Sequence, residues 1–148
     1  MGRDKQTKIL FLCTGNSCRS QMAEGWAHYL KSECVEAFSA GIETHGVNPF
    51  AVQVMAEDGV DISHQRSKLV DEFRGVDFNY IVTVCGHSYE NCPVFPVGVK
   101  TFHVGFDDPP AMAAACDTAE AKLNCYRTVR DQIKDFIQTL PEALNRDE

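Results

Sequence analysis

Apolar residues cluster along this chain in two rhythms that succeed each other. Lys8-Ile9-Leu10-Phe11-Leu12 is a short unbroken run, the pattern of a strand covered on both faces. Gly15 breaks it, and from about Ser20 to Lys31 the residues Met22, Ala23, Trp26, Ala27, Tyr29 and Leu30 recur at helical spacing. Val35 to Ser39 reads as a second strand, closed by Gly41. Asn48-Pro49 has the form of an N-cap followed by proline at the first helical position, and Gly59 ends that helix. Tyr80-Ile81-Val82-Thr83-Val84 is the strongest strand signal, and Val99 to Val104 is a weaker fourth. From Thr118 to about Leu140, the residues Leu123, Tyr126, Val129, Ile133, Phe136, Ile137 and Leu140 mark a long amphipathic helix, with Pro141 after it.

Short strands alternating with helices predict an α/β fold, a parallel sheet with helices on both faces. No repeat, low-complexity tract or linker divides the chain, so residues 1–148 are expected to form one domain. Ligands of such sheets bind beyond the carboxyl ends of the strands. Three segments bring chemistry to those ends: Cys13 after the first strand, Cys85 after the third and Asp107-Asp108 after the fourth.

Charge and composition narrow the function. Fourteen Lys and Arg against 21 Asp and Glu give a formal charge of -7, so nucleic acid and anionic membrane surfaces are poor partners, and an anion needs a local, organised site. The first apolar run is too short for a signal peptide or a membrane span, so a cytoplasmic protein is expected. Seven cysteines in a reducing compartment are packing groups or reactive thiols rather than a disulfide framework.

Cys13-Thr14-Gly15-Asn16-Ser17-Cys18-Arg19-Ser20 lies between the first strand and its helix. A loop of glycine and small polar residues that winds into a helix N-terminus turns successive N–H groups inward, a nest for a tetrahedral oxyanion. Arg19 adds a planar fork of matching geometry, and the same donors favour a thiolate nucleophile at Cys13. The oxyanion set is therefore Thr14, Gly15, Asn16, Ser17, Cys18, Arg19 and Ser20. Cys18 can equally be a thiol packed behind the loop, and Ser20 can cap the helix or hydrogen-bond the Cys13 thiolate.

Cys85 and Cys92 stand seven apart in a polar segment that contains Gly86, leaving the strongest strand. A cysteine phosphatase needs one thiol, whereas a reductase must supply two electrons, and two thiols supply them by becoming a disulfide. Cys85, His87, Cys92 and His103 lack the usual zinc knuckle spacing, so no metal is expected there. Cys34, Cys116 and Cys125 have no anion motif or paired spacing and read as packing residues.

C-x5-R-S near the N-terminus, Ser39-Ala40-Gly41-Ile42-Glu43-Thr44-His45-Gly46-Val47-Asn48-Pro49, and Asp108-Pro109-Pro110 together resemble the low-molecular-weight tyrosine phosphatases. Within that superfamily they resemble the thioredoxin-coupled arsenate reductases. The resemblance spans essentially the whole chain and implies a four-stranded parallel sheet flanked by helices. It implies that Cys13 attacks arsenate, with Asp108 as the acid, that Cys85 and then Cys92 resolve the product, and that thioredoxin reduces the final Cys85–Cys92 disulfide. No tightly bound cofactor is implied, since the electrons come from thioredoxin, and a monomer serving arsenic resistance is expected. Pro109-Pro110 follows Asp108 where the tyrosine phosphatases carry a tyrosine that lines a deeper aromatic pocket. Residual phosphatase activity on small aryl phosphates is expected. In some of these reductases a potassium ion sits behind the loop, held by residues matching Asn16, Glu24 and Ser39 and by an acidic residue where this chain has Lys68; the Lys68 ammonium is expected to take its place. The alternatives are a tyrosine phosphatase with redox-regulated cysteines and a non-enzymatic oxyanion sensor.

Overall fold

The computed structural model describes residues 6–84 and 99–145. Strand β1 (Thr7–Cys13) occupies an inner place in the sheet because both of its faces are apolar. Ile9, Phe11 and Cys13 join one core cluster, and Leu10 and Leu12 join the other. This alternation is the pleat expressed in packing. Helix α1 (Arg19–Leu30), strand β2 (Val35–Gly41), helix α2 (Pro49–Glu57), strand β3 (Tyr80–Thr83), strand β4 (Lys100–His103) and helices α3 (Pro109–Ala113), α4 (Ala119–Ile137) and α5 (Glu142–Asn145) follow in chain order.

The sheet order is β2-β1-β3-β4 and every pair is parallel. Cys13 pairs with Gly41, Leu12 with Thr83, and Thr83 with His103, so the strands end along one edge. Strand β4 is mostly exposed, as its weaker apolar pattern anticipates for an edge strand.

The larger core cluster joins Ile9, Phe11 and Val82 to α1, α2 and α4. On the opposite face Leu10, Leu12 and Ile81 pack with Phe38, Phe73 and Phe78, and the short 3₁₀ helix Val70–Phe73 contributes two of the covering residues. Asn48 caps α2 as its sequence demands, its Oδ1 accepting the N–H of Phe50 at 2.8 Å and of Ala51 at 3.3 Å. Thr118 caps α4 in the same way through Ala121 N. Helix α4 buries Leu123, Tyr126, Val129, Ile133 and Ile137. It stops at Ile137, short of the predicted end, yet Leu140 in the next turn is fully buried. Tyr29 departs from the predicted apolar stripe of α1, being 57% exposed. The 3₁₀ helix, α3 and α5 are too short to leave a periodic signature.

Candidate active site

The loop between β1 and α1 curls at the carboxyl edge of the sheet, and its shape is held mainly by one buried side chain. Asn16 has φ +48°, in the left-handed region that Asn tolerates better than most residues, and it is fully buried. Its Nδ2 donates to Ser20 Oγ at 2.9 Å and Ser39 Oγ at 3.0 Å. Its Oδ1 accepts from Gln21 Nε2 at 3.0 Å and from the Lys68 N–H at 2.7 Å. All four hydrogen-bonding positions of the amide are in use.

A second segment straps the loop from outside. Ile42 and Glu43 donate their N–H groups to the Thr14 carbonyl, His45 donates to that of Gly15, and Asn48 to that of Ser17, all at 2.9–3.0 Å. Consuming the carbonyls in this way turns the outward side of the loop into the acceptor side. Gly41 allows the approach, since a Cβ there would lie 2.6 Å from the Thr14 carbonyl oxygen.

Cys13, Thr14, Gly15, Ser17, Cys18, Arg19, His45, Asp108 and Pro110 line a cavity of about 340 Å³. Arg19 is a buried part of its lining, fixed in place: Nη1 donates to the carbonyl of Phe106 at 3.0 Å and of Val84 at 3.3 Å, and Nη2 lies 3.5 Å from Asp108 Oδ1. Its Nε is buried and has no hydrogen-bond partner among the described residues. A guanidinium N–H left without a partner in a loop of this kind suits an oxyanion, which satisfies such groups.

The predicted residues thus divide. Cys13, Arg19 and Asp108 come together, with Thr14, Gly15, Ser17 and Cys18 around them. Asn16 and Ser20 do not line the cavity. Ser20 is fully buried and accepts from Asn16, and the N-cap position of α1 is Cys18, without a side-chain capping bond, so Ser20 is a brace and not the cap. Burial pushes the Cys18 thiol far up, with the neighbouring Cys13 adding to the effect. Cys18 is therefore held as a neutral thiol, which suits a packing role. Cys85 and Cys92 lie outside the described residues. Val84, which precedes Cys85 in the chain, gives its carbonyl to Arg19.

His45 is the lining residue that the sequence did not single out. Its ring faces Gly15, where any Cβ would collide with it, and its Nε2 pairs with Glu43 Oε1 at 2.6 Å. It belongs to the Ser39–Pro49 motif, in the strap whose N–H groups hold the loop.

Behind the loop, Glu24 Oε1 accepts from Ser39 Oγ at 2.6 Å and lies 3.6 Å from Lys68 Nζ. Lys68 Nζ also donates to the Arg66 carbonyl at 2.7 Å. The potassium set therefore does not fit this chain. A cation bound by Asn16, Glu24 and Ser39 would stand against the Lys68 ammonium, which already pairs with the carboxylate.

The model of the low molecular weight phosphotyrosine protein phosphatase family matches residues 8–148. An arsenate reductase of Halalkalibacterium halodurans is 48% identical over 135 residues, covering 91% of this chain and 95% of that one. A solved arsenate reductase in the phosphate binding state superimposes with a TM-score of 0.74 at 32% identity, covering 91% of this chain and 96% of its own. Another, in the oxidized state, has a TM-score of 0.74 at 31% identity with the same coverage. A strand-to-helix anion loop with a thiol and a guanidinium at one sheet edge, the family match and these relatives lead to one assignment: the chain belongs to the low molecular weight phosphotyrosine protein phosphatase family, in the branch that holds the arsenate reductases.

Proposed function

We propose that this protein reduces arsenate to arsenite by a relay through Cys13, Cys85 and Cys92, with a thioredoxin-type dithiol as the reductant. The observation that carries the reading is the cavity itself: Cys13, Arg19 and Asp108 line one small opening, and the Arg19 guanidinium keeps a buried Nε without a hydrogen-bond partner among the described residues. Pro110 stands at its edge, and no Phe, Tyr or Trp lines it among the described residues. That suits an inorganic oxyanion better than a phenyl ester.

The chemistry balances on the residues available. The Cys13 thiolate attacks arsenic while Asp108 protonates the departing oxygen, which leaves as water. Cys85 next attacks the Cys13 sulfur. An S–S bond forms, the As–S bond breaks with its electron pair staying on arsenic, and arsenite departs. Cys92 then attacks Cys85, freeing Cys13 and leaving a Cys85–Cys92 disulfide, which an external dithiol reduces by exchange. The anion nest cannot separate arsenate from phosphate by charge or shape; arsenic(V) accepts the electron pair from sulfur and phosphorus(V) does not. Slow hydrolysis of small aryl phosphates follows from the first half of the same cycle.

Arsenate-dependent NADPH oxidation with thioredoxin and thioredoxin reductase tests the reading. Turnover that is lost in both Cys13→Ser and Cys92→Ser supports the relay. Hydrolysis of an aryl phosphate by Cys92→Ser without any arsenate-dependent oxidation contradicts it in favour of a phosphatase. Stoichiometric arsenate or phosphate binding with no turnover of either kind makes the protein a sensor.

A further inference from the structure

The relay leaves two neighbouring thiols unused. Cys116 follows α3 and Cys125 lies on α4, nine residues on, and their Sγ atoms are 3.7 Å apart, in van der Waals contact. Neither is sealed in the core: both are half-buried. Cys116 Sγ also faces the carbonyl of Met112 at 3.8 Å and Cys125 Sγ that of Ala121 at 3.5 Å, so each thiol is oriented by a carbonyl four residues earlier. Lys122 Nζ donates to the Ala113 carbonyl at 3.3 Å and ties the start of α4 to α3 beside them. The pair lies where the segment after α3 packs on α4, and neither thiol lines the catalytic cavity.

We propose that Cys116 and Cys125 form a second, non-catalytic dithiol site that binds trivalent arsenicals, arsenite included, as a two-sulfur chelate. Two sulfurs in contact suit a soft, pyramidal centre that takes two thiolates and keeps an oxygen or carbon substituent on its third position. A zinc-type ion is a poor occupant, since it wants four ligands and no group of three or more His, Cys, Asp or Glu able to hold a metal exists among the described residues. The Cys125 thiol points the same way. Burial, with the Cys116 hydrogen bond adding to it, pushes the Cys125 thiol up, which penalises a divalent cation that must displace protons. Condensation with a trivalent arsenical does not need thiolate. With phenylarsine oxide, two As–S bonds form, the As–O bond breaks, and both thiol protons leave with the oxygen as one water; no atom changes oxidation state.

The experiment uses the full chain carrying Cys13→Ser, Cys85→Ser and Cys92→Ser, which removes the relay thiols, with phenylarsine oxide as the probe. Mass spectrometry is expected to find one arsenical per chain, bridging the peptides that hold Cys116 and Cys125. Adding Cys125→Ser or Cys125→Ala is expected to weaken binding at least ten-fold. Peptide mapping of the unsubstituted chain gives the same reading if the triple variant does not fold. No bridged adduct at this pair, or an adduct indifferent to both Cys125 substitutions, overturns the proposal. Cys125→Ser in the otherwise natural chain is expected to keep its arsenate-dependent turnover, so failure here and failure of the reductase reading are separate results.

Discussion

Arg19 Nη2 stands 3.5 Å from Asp108 Oδ1, joining the guanidinium of the anion loop to the carboxylate that precedes α3. An oxyanion that docks on the loop competes for that guanidinium and leaves Asp108 free to carry a proton to the departing oxygen. Asp108→Asn is therefore expected to lower kcat for arsenate reduction by about 10²- to 10⁴-fold, the usual worth of a positioned acid. Phosphate affinity, measured by calorimetry, is expected to hold or rise, because the carboxylate that competes for Arg19 is neutralised. A matched loss of affinity and rate would make Asp108 a binding residue instead.

Asn16 is a structural keystone with no lining role. Asn16→Ala strands the Lys68 N–H and removes the support of Ser20, Gln21 and Ser39, while leaving a non-glycine residue at φ +48°. Each stranded buried group costs about 1–3 kcal/mol. Urea denaturation is expected to show a loss of about 2–4 kcal/mol on that basis, together with weaker phosphate binding.

The glycines at the loop separate by what surrounds them. A methyl at Gly41 would meet the backbone oxygens of Thr14 and Cys13 and the Asn16 nitrogen at 2.6–2.9 Å, atoms that cannot step aside without moving the loop. Gly41→Ala is expected to cost about 1–3 kcal/mol, the usual range for overpacking, and to abolish turnover. At Gly15 the three nearest atoms a Cβ would meet all belong to the His45 side chain, whose exposure is 54%, so the ring can swing away and Gly15→Ala loses less stability. Thermal denaturation of the two variants side by side checks the order.

Lys68 carries two expectations. Its ammonium lies against Glu24, so potassium in place of sodium is expected to leave the steady-state constants unchanged. Burial pulls Lys68 below its ordinary value near 10.5, against the opposing pull of Glu24. The unfolded chain then holds this proton more tightly than the folded one. The burial penalty applies in full below the lowered folded value and is relieved as pH climbs from there toward 10.5. Urea titrations are expected to show the parent gaining stability relative to Lys68→Met across that window. A flat or falling difference contradicts the placement of the ammonium.

The four strands, three long helices and the anion loop were legible because each leaves a local mark: continuous apolar runs, helical spacing, or a cap such as Asn48 and Thr118. Cys13, Arg19 and Asp108 were legible together because parallel strands end at one edge. The backbone strap from Ile42 to Asn48 was not, since carbonyl acceptors have no residue-type signature. His45 reaches the cavity through its contact with Gly15, 30 positions earlier, which no local spacing records. Cys116 and Cys125 read as packing residues because their contact is made where the segment after α3 folds against α4 and not by sequence spacing.

The central claim is that Cys13 and the Cys85/Cys92 pair together deliver two electrons to one oxyanion. A single turnover tests it most directly: fully reduced protein mixed with arsenate in the absence of any other reductant, then quenched for arsenic speciation and disulfide mapping. The account predicts one arsenite released per chain, with a Cys85–Cys92 disulfide and a free Cys13. Arsenate recovered unreduced with all three thiols intact, from protein that hydrolyses an aryl phosphate at the same loop, would contradict it.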